Sequence, residues 1–380
     1  MPDIVVIGGG VIGASIACHL ATRGAGGVTL LERGAIGGGE TAASGGFVQT
    51  HWESLAEVRL IARSREVFLD WRDRIGGDCG YVRGGYLHVT GPEREPAVRR
   101  VHQMLQGDGL ESHWLSLPEL SQLQPLLNIN QLVGGAWEPS SGWADPVATT
   151  RSLADAAARS GAAIREGVAA LAIRHAGGRV TAVDTTAGPL PCGVAILAAG
   201  PRTRALHPEP AIAVPIQLER GQAGYFDRPG GLPEREIGFY DEYTGLYTHP
   251  AGDTNLVGWD RGGRFDAVAD PDHYRRDVDG KWVARAATVL GYRFPALRES
   301  VLRRAVTGLY DFTPDGQPIV DGPIGGLAGY YLAAGFSGVG FKSSPAIGLA
   351  MAELVLDGAA TSVDIAHLRL SRFAPAPVGA

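Results

Sequence analysis

Apolar and polar residues at the start of the chain follow the order strand, loop, helix, strand. Residues 3–7 form a short apolar run with β-branched side chains, which predicts a buried parallel strand. An apolar stripe at helical spacing then extends to Arg23, and Gly24 follows it as a helix-ending residue. Residues 28–31 form a second apolar run. This order is typical of a βαβ unit.

The apolar pattern predicts further helices and short strands along the whole chain. Helices are expected at 54–75, at 146–161 and up to residue 358, where Pro345 would be the first helical residue. A more polar helix is expected near 94–106. Helices that alternate with strands favour the α/β class. The short strands are predicted at 85–90, 162–166, 168–174, 179–184, 238–243, 245–249 and 330–334.

Composition and charge exclude several classes of protein. Hydrophobic residues make up 45% of the chain, and the net charge of −6 comes without a block of Lys or Arg, so we expect no nucleic-acid partner. Three widely spaced cysteines fit neither a disulfide framework nor a zinc site, which favours a cytoplasmic location and no metal. No apolar run approaches the roughly 18–20 residues of a membrane span, so no membrane partner is expected.

A glycine motif separates the first strand from the helix. Gly8 allows the tight turn, Gly10 lets the backbone approach a pyrophosphate, and Gly13 lets the helix pack on the strand. Glu32 lies about 20 residues later at the tip of the second strand, where a carboxylate accepts hydrogen bonds from a ribose. The alternative is a glycine-rich turn in an ordinary α/β domain. The candidate cofactor-binding residues of this unit are Gly8, Gly10, Val11, Ile12, Gly13, Glu32 and Arg33.

A second glycine-rich loop follows the second strand at residues 34–46. An NAD-binding domain normally continues directly into further βα units, whereas this loop leads into a long helix instead. Its small side chains and hydroxyls are suited to line a pyrophosphate and one edge of a flavin. The alternative is a flexible surface loop. The candidate residues are Thr41, Ala42, Ser44, Gly45 and Gly46.

A third glycine-rich segment follows the predicted strand at 330–334. It leads into the helix that ends near Gly358, so the chain contains a second strand–loop–helix corner. The amino end of that helix would stabilise negative charge on a reduced flavin. Two such corners favour an extended FAD over NAD. The candidate residues are Gly335, Ser337, Gly338, Val339, Gly340, Phe341 and Lys342.

Four segments together carry a family resemblance: IVVIGGGVIGASIACHLA (4–21), VAILAAG (194–200), GLYDFTPDGQPIVDG (308–322) and GFSGVGFKSSPAIG (335–348). The chain resembles the FAD-dependent amine and D-amino-acid oxidoreductase family, which includes sarcosine oxidases and glycine oxidase. The resemblance implies an α/β fold with two domains. One is a discontinuous, Rossmann-like FAD-binding domain of the GR2 type, expected at 1–80, 133–214 and 306–380. The other is a substrate domain with a mixed or antiparallel β-sheet, expected at 81–132 and 215–305.

The resemblance also implies roles for residues near the flavin. Lys342 matches a lysine that binds the substrate carboxylate, with a solvated lysine as the alternative. Tyr310 matches a tyrosine near the substrate, and a buried structural tyrosine is the alternative. Gly308 stands where some relatives carry a cysteine linked to the flavin, so noncovalent FAD is expected. His51 is expected to line the pocket or simply to pack, and a histidyl link to the flavin is a minor alternative.

Further residues are placed by the same resemblance. Tyr247 aligns with a lysine that promotes the reaction with oxygen, which argues against rapid oxidase turnover, and His249 is a weaker catalytic candidate on the same strand face. Val168 is expected to contact the adenine through its backbone. Ala199 and Gly200 are expected on the sugar–phosphate side of the cofactor.

The expected function is FAD-dependent oxidation of the C–N bond of an amino acid or secondary amine, by hydride transfer from the α-carbon to flavin N5. A general base is not required if a dry pocket disfavours the ammonium form. Oxygen or another acceptor would take the electrons. The alternatives are a dehydrogenase of 2-hydroxy acids or glycerol phosphate, and a β-type subunit active only in a larger complex. We expect a monomer or homodimer otherwise, and the aromatic residues between 239 and 259 predict a substrate larger than glycine.

Overall fold

The computed structural model describes residues 3–209, 211–230, 232, 237–259 and 266–373. The outermost residues of the expected FAD-binding domain, 1–2 and 374–380, lie outside this range. The described helices are α1 Val11–Thr22, α2 Leu55–Leu69, α3 Trp71–Arg74, α4 Glu95–Gly107, α5 Leu117–Leu123, α6 Pro146–Arg159, α7 Thr203–Leu206, α8 Gly280–Arg293 and α9 Gly340–Asp357. Short 3₁₀ turns lie at Glu40–Ala43, Gly200–Arg202, Pro295–Leu297, Ile324–Gly326, Ala366–Leu368 and Leu370–Phe373.

Twenty strands are present among the described residues. The first ten are β1 Ile4–Ile7, β2 Val28–Leu31, β3 Phe47–Val48, β4 Tyr86–Thr90, β5 His113–Leu115, β6 Gly134–Glu138, β7 Gly142–Trp143, β8 Ala163–Arg165, β9 Ala170–Ala176 and β10 Arg179–Thr185. The others are β11 Leu190–Pro191, β12 Val194–Leu197, β13 Gln217–Asp227, β14 Gly238–Asp241, β15 Leu246–Ala251, β16 Thr254–Trp259, β17 Asp266–Val268, β18 Leu302–Phe312, β19 Ile319–Asp321 and β20 Tyr330–Ala334.

One of the two large sheets has six strands, in the order β19-β20-β12-β1-β2-β8. All its pairings are parallel except that of β19 with β20. β1, β2, β12 and β20 are buried almost throughout because α1, α6 and α9 pack together on one side and a small β9–β11 sheet lies on the other. This arrangement confirms the expected Rossmann-like α/β fold.

The other large sheet has nine strands, in the order β17-β13-β16-β15-β14-β4-β6-β5, with β18 also paired to β13. Its pairings are antiparallel except for the parallel pair β4–β14, so the expected mixed sheet is confirmed. The expected domain boundaries near residues 132 and 306 each cut this sheet. β6 and the second half of β18 continue it into the stretches that were expected in the FAD-binding domain.

Two predicted helix boundaries are wrong. The helix expected from residue 54 to 75 is interrupted at Asp70, between α2 and α3. The last helix begins at Gly340 rather than Pro345, which lies inside it. Proline cannot donate a backbone hydrogen bond, but the Phe341 carbonyl still accepts one, from Ser344 Oγ at 2.9 Å. Gly358 ends the helix in the left-handed conformation, as predicted.

Within the described residues, no helix combines the length and the apolar character needed to cross a membrane.

Candidate cofactor and substrate site

A cavity of about 1350 Å³ lies between the two large sheets. One part of its wall, which we call the cofactor end, contains Gly8, Gly10, Glu32, Thr41 and Val168. Another part, which we call the substrate end, contains His51, Trp52, His88, Tyr240 and Lys342.

Glycines at the start of α1 shape the cofactor end. Gly8 has a φ of +113°, a conformation that side chains disfavour. A Cβ atom on Gly13 would lie 1.8 Å from the Gly8 carbonyl oxygen, so only glycine lets α1 pack this closely on the strand. A Cβ on Gly10 would meet only Thr41 Oγ1, at 3.3 Å, and Gly10 otherwise opens onto the cavity.

Glu32 is held rigidly at the tip of β2. Its Oε2 accepts a hydrogen bond from the Gly9 backbone N–H at 2.8 Å, and its Oε1 accepts one from the Gly34 N–H at 2.7 Å. Each oxygen retains a lone pair on the cavity side, which suits a sugar diol. The Val168 N–H donates to the Glu32 carbonyl at 2.9 Å and brings Val168 to the same wall.

These features together fit an extended dinucleotide. The Thr41 hydroxyl accepts a hydrogen bond from the Val11 N–H at 3.1 Å and retains its own proton for a phosphate oxygen. The start of α9 also lines the cavity, so a second helix dipole can stabilise negative charge. FAD is large enough to use both helix ends, and it would be held by Gly8, Gly10, Glu32, Thr41 and Val168.

Most of the predicted cofactor-binding residues line the cavity. Those on its wall are Gly8, Gly10, Val11, Ile12, Glu32, Arg33, Thr41, Ser44, Gly45, Gly46, Val168, Ala199, Gly200, Ser337, Gly338, Gly340, Phe341 and Lys342. Those placed behind the wall are Gly13, Ala42, Gly335 and Val339.

Lys342 lies in the first turn of α9 and is only 7% exposed. Its Nζ lies 4.8 Å from the centre of the Trp52 ring, a cation–π geometry. Burial lowers the pKa of Lys342 to about 8, and the nearby carboxylates of Glu57 and Glu138 partly oppose this effect. Among the described residues, the carboxylates of Glu57 and Glu138 act on the Lys342 ammonium through their charge and not through a direct ion pair.

Tyr247 and Tyr310 line the cavity from the nine-stranded sheet, and each ring packs on a glycine. Tyr247 stands opposite Gly258, where a Cβ atom would lie 1.7 Å from the tyrosine ring. A Cβ on Gly221, in the strand beside Tyr310, would lie 2.4 Å from that ring. The glycines thus let both rings lie flat on the sheet at the cavity wall.

His51 and His88 form a tilted ring pair in the same wall, with ring centres 4.1 Å apart and an angle of 34° between the ring planes. His88 Nε2 lies 3.2 Å from Glu242 Oε1, and Glu242 in turn lies 3.6 Å from Arg94. Burial, followed by the neighbouring imidazoles of His88 and His102, lowers the pKa of His51 well below its ordinary value. His51 is therefore a neutral imidazole at neutral pH.

His249 does not line the cavity, contrary to the expectation of a catalytic position. Its ring stacks on Trp143 with centres 4.8 Å apart and meets the edge of Phe47. Its two ring nitrogens lie 2.7 Å and 2.8 Å from the backbone oxygens of Pro250 and Gly45. Strand alternation does place it on the face of Tyr247, but its polar atoms are used to hold the loop before β3.

Gly308, which by the family resemblance replaces a flavin-linked cysteine, lines the cavity. A Cβ there would lie 2.7 Å from Ala43 Cβ and 3.2 Å from Glu40 Oε2. Glu40 accepts a hydrogen bond from the Leu309 N–H at 2.6 Å, which joins the 3₁₀ turn to β18. The close packing leaves no room for a side chain at this position.

Several residues of the substrate end were not predicted from the sequence. Gln49 and Trp52 lie within two residues of His51 in the chain, so the prediction for His51 could have been extended to them. The others come from separate helices and strands and carry no motif. They are Glu57, Tyr86, His88, Arg94 and Glu242, whereas Tyr240 belongs to the aromatic residues from which a larger substrate was predicted. Within the described ranges, no group of three or more His, Cys, Asp or Glu side chains is arranged to hold a metal ion.

Comparison with known proteins relates this site to a family. Residues 3–354 match the model of the DAO family, described as FAD dependent oxidoreductase. Mitochondrial sarcosine dehydrogenase of Mus musculus is 28% identical over 368 residues, which cover 94% of this chain and 40% of that protein. The chain therefore spans about two-fifths of the length of that relative. Glycine oxidase of Geobacillus kaustophilus is 27% identical, with 97% of both chains covered.

A solved structure has the same fold. L-proline dehydrogenase from P. horikoshii superposes with a TM-score of 0.88 and 27% identity, over 98% of this chain and 97% of the other. The alignment runs through both sheets and so includes the cavity between them.

Proposed function

Since the chain belongs to the DAO family of FAD-dependent oxidoreductases, we propose that it oxidises the C–N bond of an amino acid or N-alkyl amino acid. The names of three similar proteins refer to sarcosine, glycine and L-proline. Each of these compounds carries a carboxylate one carbon away from its amine nitrogen. A site for such substrates needs a cation for the carboxylate beside the flavin.

The observation that carries the proposal is the position of Lys342. The chain has two lysines, and the other, Lys281, is exposed on α8. Lys342 instead lies buried in the cavity wall at the amino end of α9. A buried ammonium gains most from a ligand that supplies the opposite charge, which a substrate carboxylate does.

Bound FAD supplies the hydride acceptor for the substrate α-carbon. Lys342 binds the carboxylate and so fixes the orientation of the α-carbon. Tyr247 and Tyr310, flat on the sheet, cover part of the cavity wall with aromatic surface and exclude water from it. Because Tyr247 carries no positive charge where a superoxide would form, we propose slow reaction with oxygen and another physiological electron acceptor. Close packing at Gly308 favours noncovalent FAD.

Anaerobic spectroscopy of the FAD-loaded protein tests the proposal. Sarcosine, glycine, L-proline and larger amino acids are mixed with the protein in turn, and each matching 2-hydroxy acid serves as control. We expect an amino acid to bleach the flavin band while its hydroxy analogue leaves it unchanged. Bleaching by hydroxy acids alone would overturn the proposal in favour of alcohol oxidation. Protein that does not bind FAD after reconstitution would contradict it altogether.

A further inference from the structure

We propose that His51 accepts the proton of the bound substrate ammonium, and that Glu138 positions His51 and stabilises its positive charge. This inference rests on the proposed function. It assigns a proton acceptor to a reaction for which the sequence alone suggested that none is required.

The surroundings of Glu138 are the first argument. Glu138 ends β6 and is fully buried. Its Oε2 accepts three hydrogen bonds, from the Thr50 N–H at 2.8 Å, the Thr50 hydroxyl at 2.7 Å and the Ser141 hydroxyl at 2.6 Å. Its Oε1 has no hydrogen-bond partner among the described residues. One oxygen is therefore fully satisfied and fixes the carboxylate, while the other is left for a further donor.

The unpartnered oxygen faces His51. His51 Nδ1 lies 3.9 Å from Glu138 Oε1 and likewise has no partner within the described part of the chain. Buried polar atoms without partners are costly, and here a carboxylate oxygen and a ring nitrogen lie opposite each other. A small shift closes this gap into a hydrogen bond, which becomes charge-assisted once His51 is an imidazolium. The pair is thus arranged for a protonated His51.

His51 belongs to the substrate end, and Glu138 lies behind it, outside the cavity wall. His51 lines the cavity together with Lys342, and the charge of Glu138 acts on Lys342 as well. A substrate whose carboxylate meets Lys342 therefore holds its adjacent amine close to His51. The His51 ring packs against His88, which is itself held by Glu242, and this contact limits its rotation. With Nδ1 turned to Glu138, Nε2 is left for the substrate nitrogen.

The charges around the pair make a proton acceptor useful. The groups that face His51 are Glu138 on β6, His88 on β4 and His102 on α4, while Arg65 of α2 lies 4.0 Å from Glu138. In the free protein, burial keeps His51 neutral. In the complex, a hydrogen bond to Glu138 Oε1 favours the imidazolium and so opposes the effect of burial. The carboxylates of Glu57 and Glu138 raise the pKa of Lys342, whereas burial lowers it. In the same way, nearby carboxylates favour the ammonium form of a substrate amine. The ammonium then needs a group that takes its proton.

The transfer is balanced in atoms and charge. One N–H bond of the substrate ammonium breaks, and one N–H bond forms at His51 Nε2. The positive charge moves from the substrate to the imidazole, whose Nδ1–H then donates to Glu138 Oε1. The substrate nitrogen keeps the electron pair of the broken bond, which the oxidation of its α-carbon requires. The proton returns to water after the product leaves, because the buried site favours neutral imidazole.

Rapid-mixing measurements of flavin reduction at saturating amino acid, without oxygen, test the inference. With a base in the site the proton stays within the complex, so the limiting rate of the wild-type protein is expected to change little between about pH 6.5 and about pH 9. His51→Gln is expected to lose about tenfold in this rate per pH unit below the pKa of the bound amine, about 100-fold at neutral pH, and to approach the wild-type rate at high pH. Glu138→Gln is expected to lower the plateau by about tenfold and to keep its shape.

Two controls separate the outcomes. His19→Gln replaces a half-buried imidazole, on α1 and outside the cavity wall, and should leave the profile unchanged. The bound-flavin spectrum of each variant reports whether the fold and the cofactor site are intact. A His51→Gln profile that stays parallel to that of the wild type at every pH would overturn the inference. Wild-type flavin that no amino acid reduces would instead overturn the proposed function.

Discussion

At the cofactor end of the cavity the binding groups belong mainly to the backbone, whereas at the substrate end they belong to side chains from distant elements. The cofactor end uses the turn at Gly8, the start of α1 and one fixed carboxylate, Glu32. The substrate end draws on α2, α9 and four strands of the large sheet, β4, β14, β15 and β18. Binding by backbone needs glycine at fixed spacing, while binding by side chains needs only that the fold brings them together.

The two ends also differ in how their polar atoms are satisfied. Four buried side-chain atoms without hydrogen-bond partners among the described residues line the substrate end: Gln49 Oε1, His51 Nδ1, Glu57 Oε1 and His88 Nδ1. A fifth, Glu138 Oε1, lies 3.9 Å from His51 Nδ1, and the other such atoms lie away from the cavity wall. Glu32, in contrast, has a backbone donor on each oxygen. A site that keeps buried polar atoms unpaired trades stability for binding and chemistry. The comparison predicts that substitutions at each end affect different measurements.

The largest effect is expected from Gly13→Ala at the cofactor end. The added Cβ would lie 1.8 Å from the Gly8 carbonyl oxygen, so α1 must move away from the strand. Overpacking costs up to about 3 kcal/mol, which corresponds to an FAD dissociation constant raised about 100-fold. Titration of the apoprotein with FAD, monitored by flavin fluorescence, measures this dissociation constant. Gly26→Ala is the matched control, because nothing lies within 4 Å of its added Cβ. Equal affinities in the two variants would contradict the role of the corner.

The second prediction concerns pH at the substrate end. Lys342 must be charged to bind a carboxylate, and its pKa is lowered to about 8 by burial. Affinity for acetate is therefore complete below this pKa and falls as the pH rises through it, by about tenfold per pH unit above it. Glu57→Gln should move the inflection to lower pH, since the Glu57 carboxylate raises the pKa of Lys342. Changes of the flavin spectrum with added acetate measure the binding.

The control for this prediction is Glu66→Gln, which removes an exposed carboxylate of α2 paired with Arg63. Its inflection should match that of the wild-type protein. If the inflection of acetate affinity in Glu57→Gln lies at the same pH as in the wild-type protein, a group other than Lys342 controls the binding.

The smallest effect is expected from Gly258→Ala, which pushes the Tyr247 ring away from the sheet. The ring lies 1.7 Å from the position of the added Cβ. The tyrosine can turn into the cavity, so the substrate dissociation constant should rise only about fivefold, while FAD affinity stays unchanged. Anaerobic titration with the reducing amino acid measures the substrate dissociation constant, and flavin fluorescence measures the FAD affinity. A variant that loses FAD but binds substrate normally would reverse the assignment of the two ends.

The cofactor end was predictable because its signal is local. Gly8, Gly10, Gly13 and Glu32 lie within one βαβ unit, and each is required by a backbone approach or a ribose contact. Lys342 stood out for a similar reason, as one of two lysines beside a glycine-rich corner. The start of its helix was mispredicted because Pro345 is tolerated inside α9, where Ser344 satisfies the carbonyl left free.

At the substrate end Lys342, His51, Tyr247 and Tyr310 were predicted, whereas side chains such as His88 and Glu242 were not. The parallel pairing of β4 with β14 brings His88 beside Tyr240, about 150 residues apart in the chain, and no motif records such a pairing. His249 shows the limit of strand alternation. The pattern gives the face of a strand, but it does not reveal that Phe47 and Trp143 pack on the histidine, which is not part of the cavity wall.

The most direct test of the account compares Lys342→Met with Lys281→Met, using the best amino-acid substrate and the same compound without its carboxylate. Anaerobic flavin reduction gives a dissociation constant for each pair. Loss of one partner of a buried charge pair costs about 2 kcal/mol or more, so Lys342→Met should bind the amino acid about 30-fold more weakly and the amine without carboxylate equally well. Lys281→Met should match the wild-type protein for both. Equal losses for acid and amine in Lys342→Met would contradict the claim that this lysine holds the substrate carboxylate.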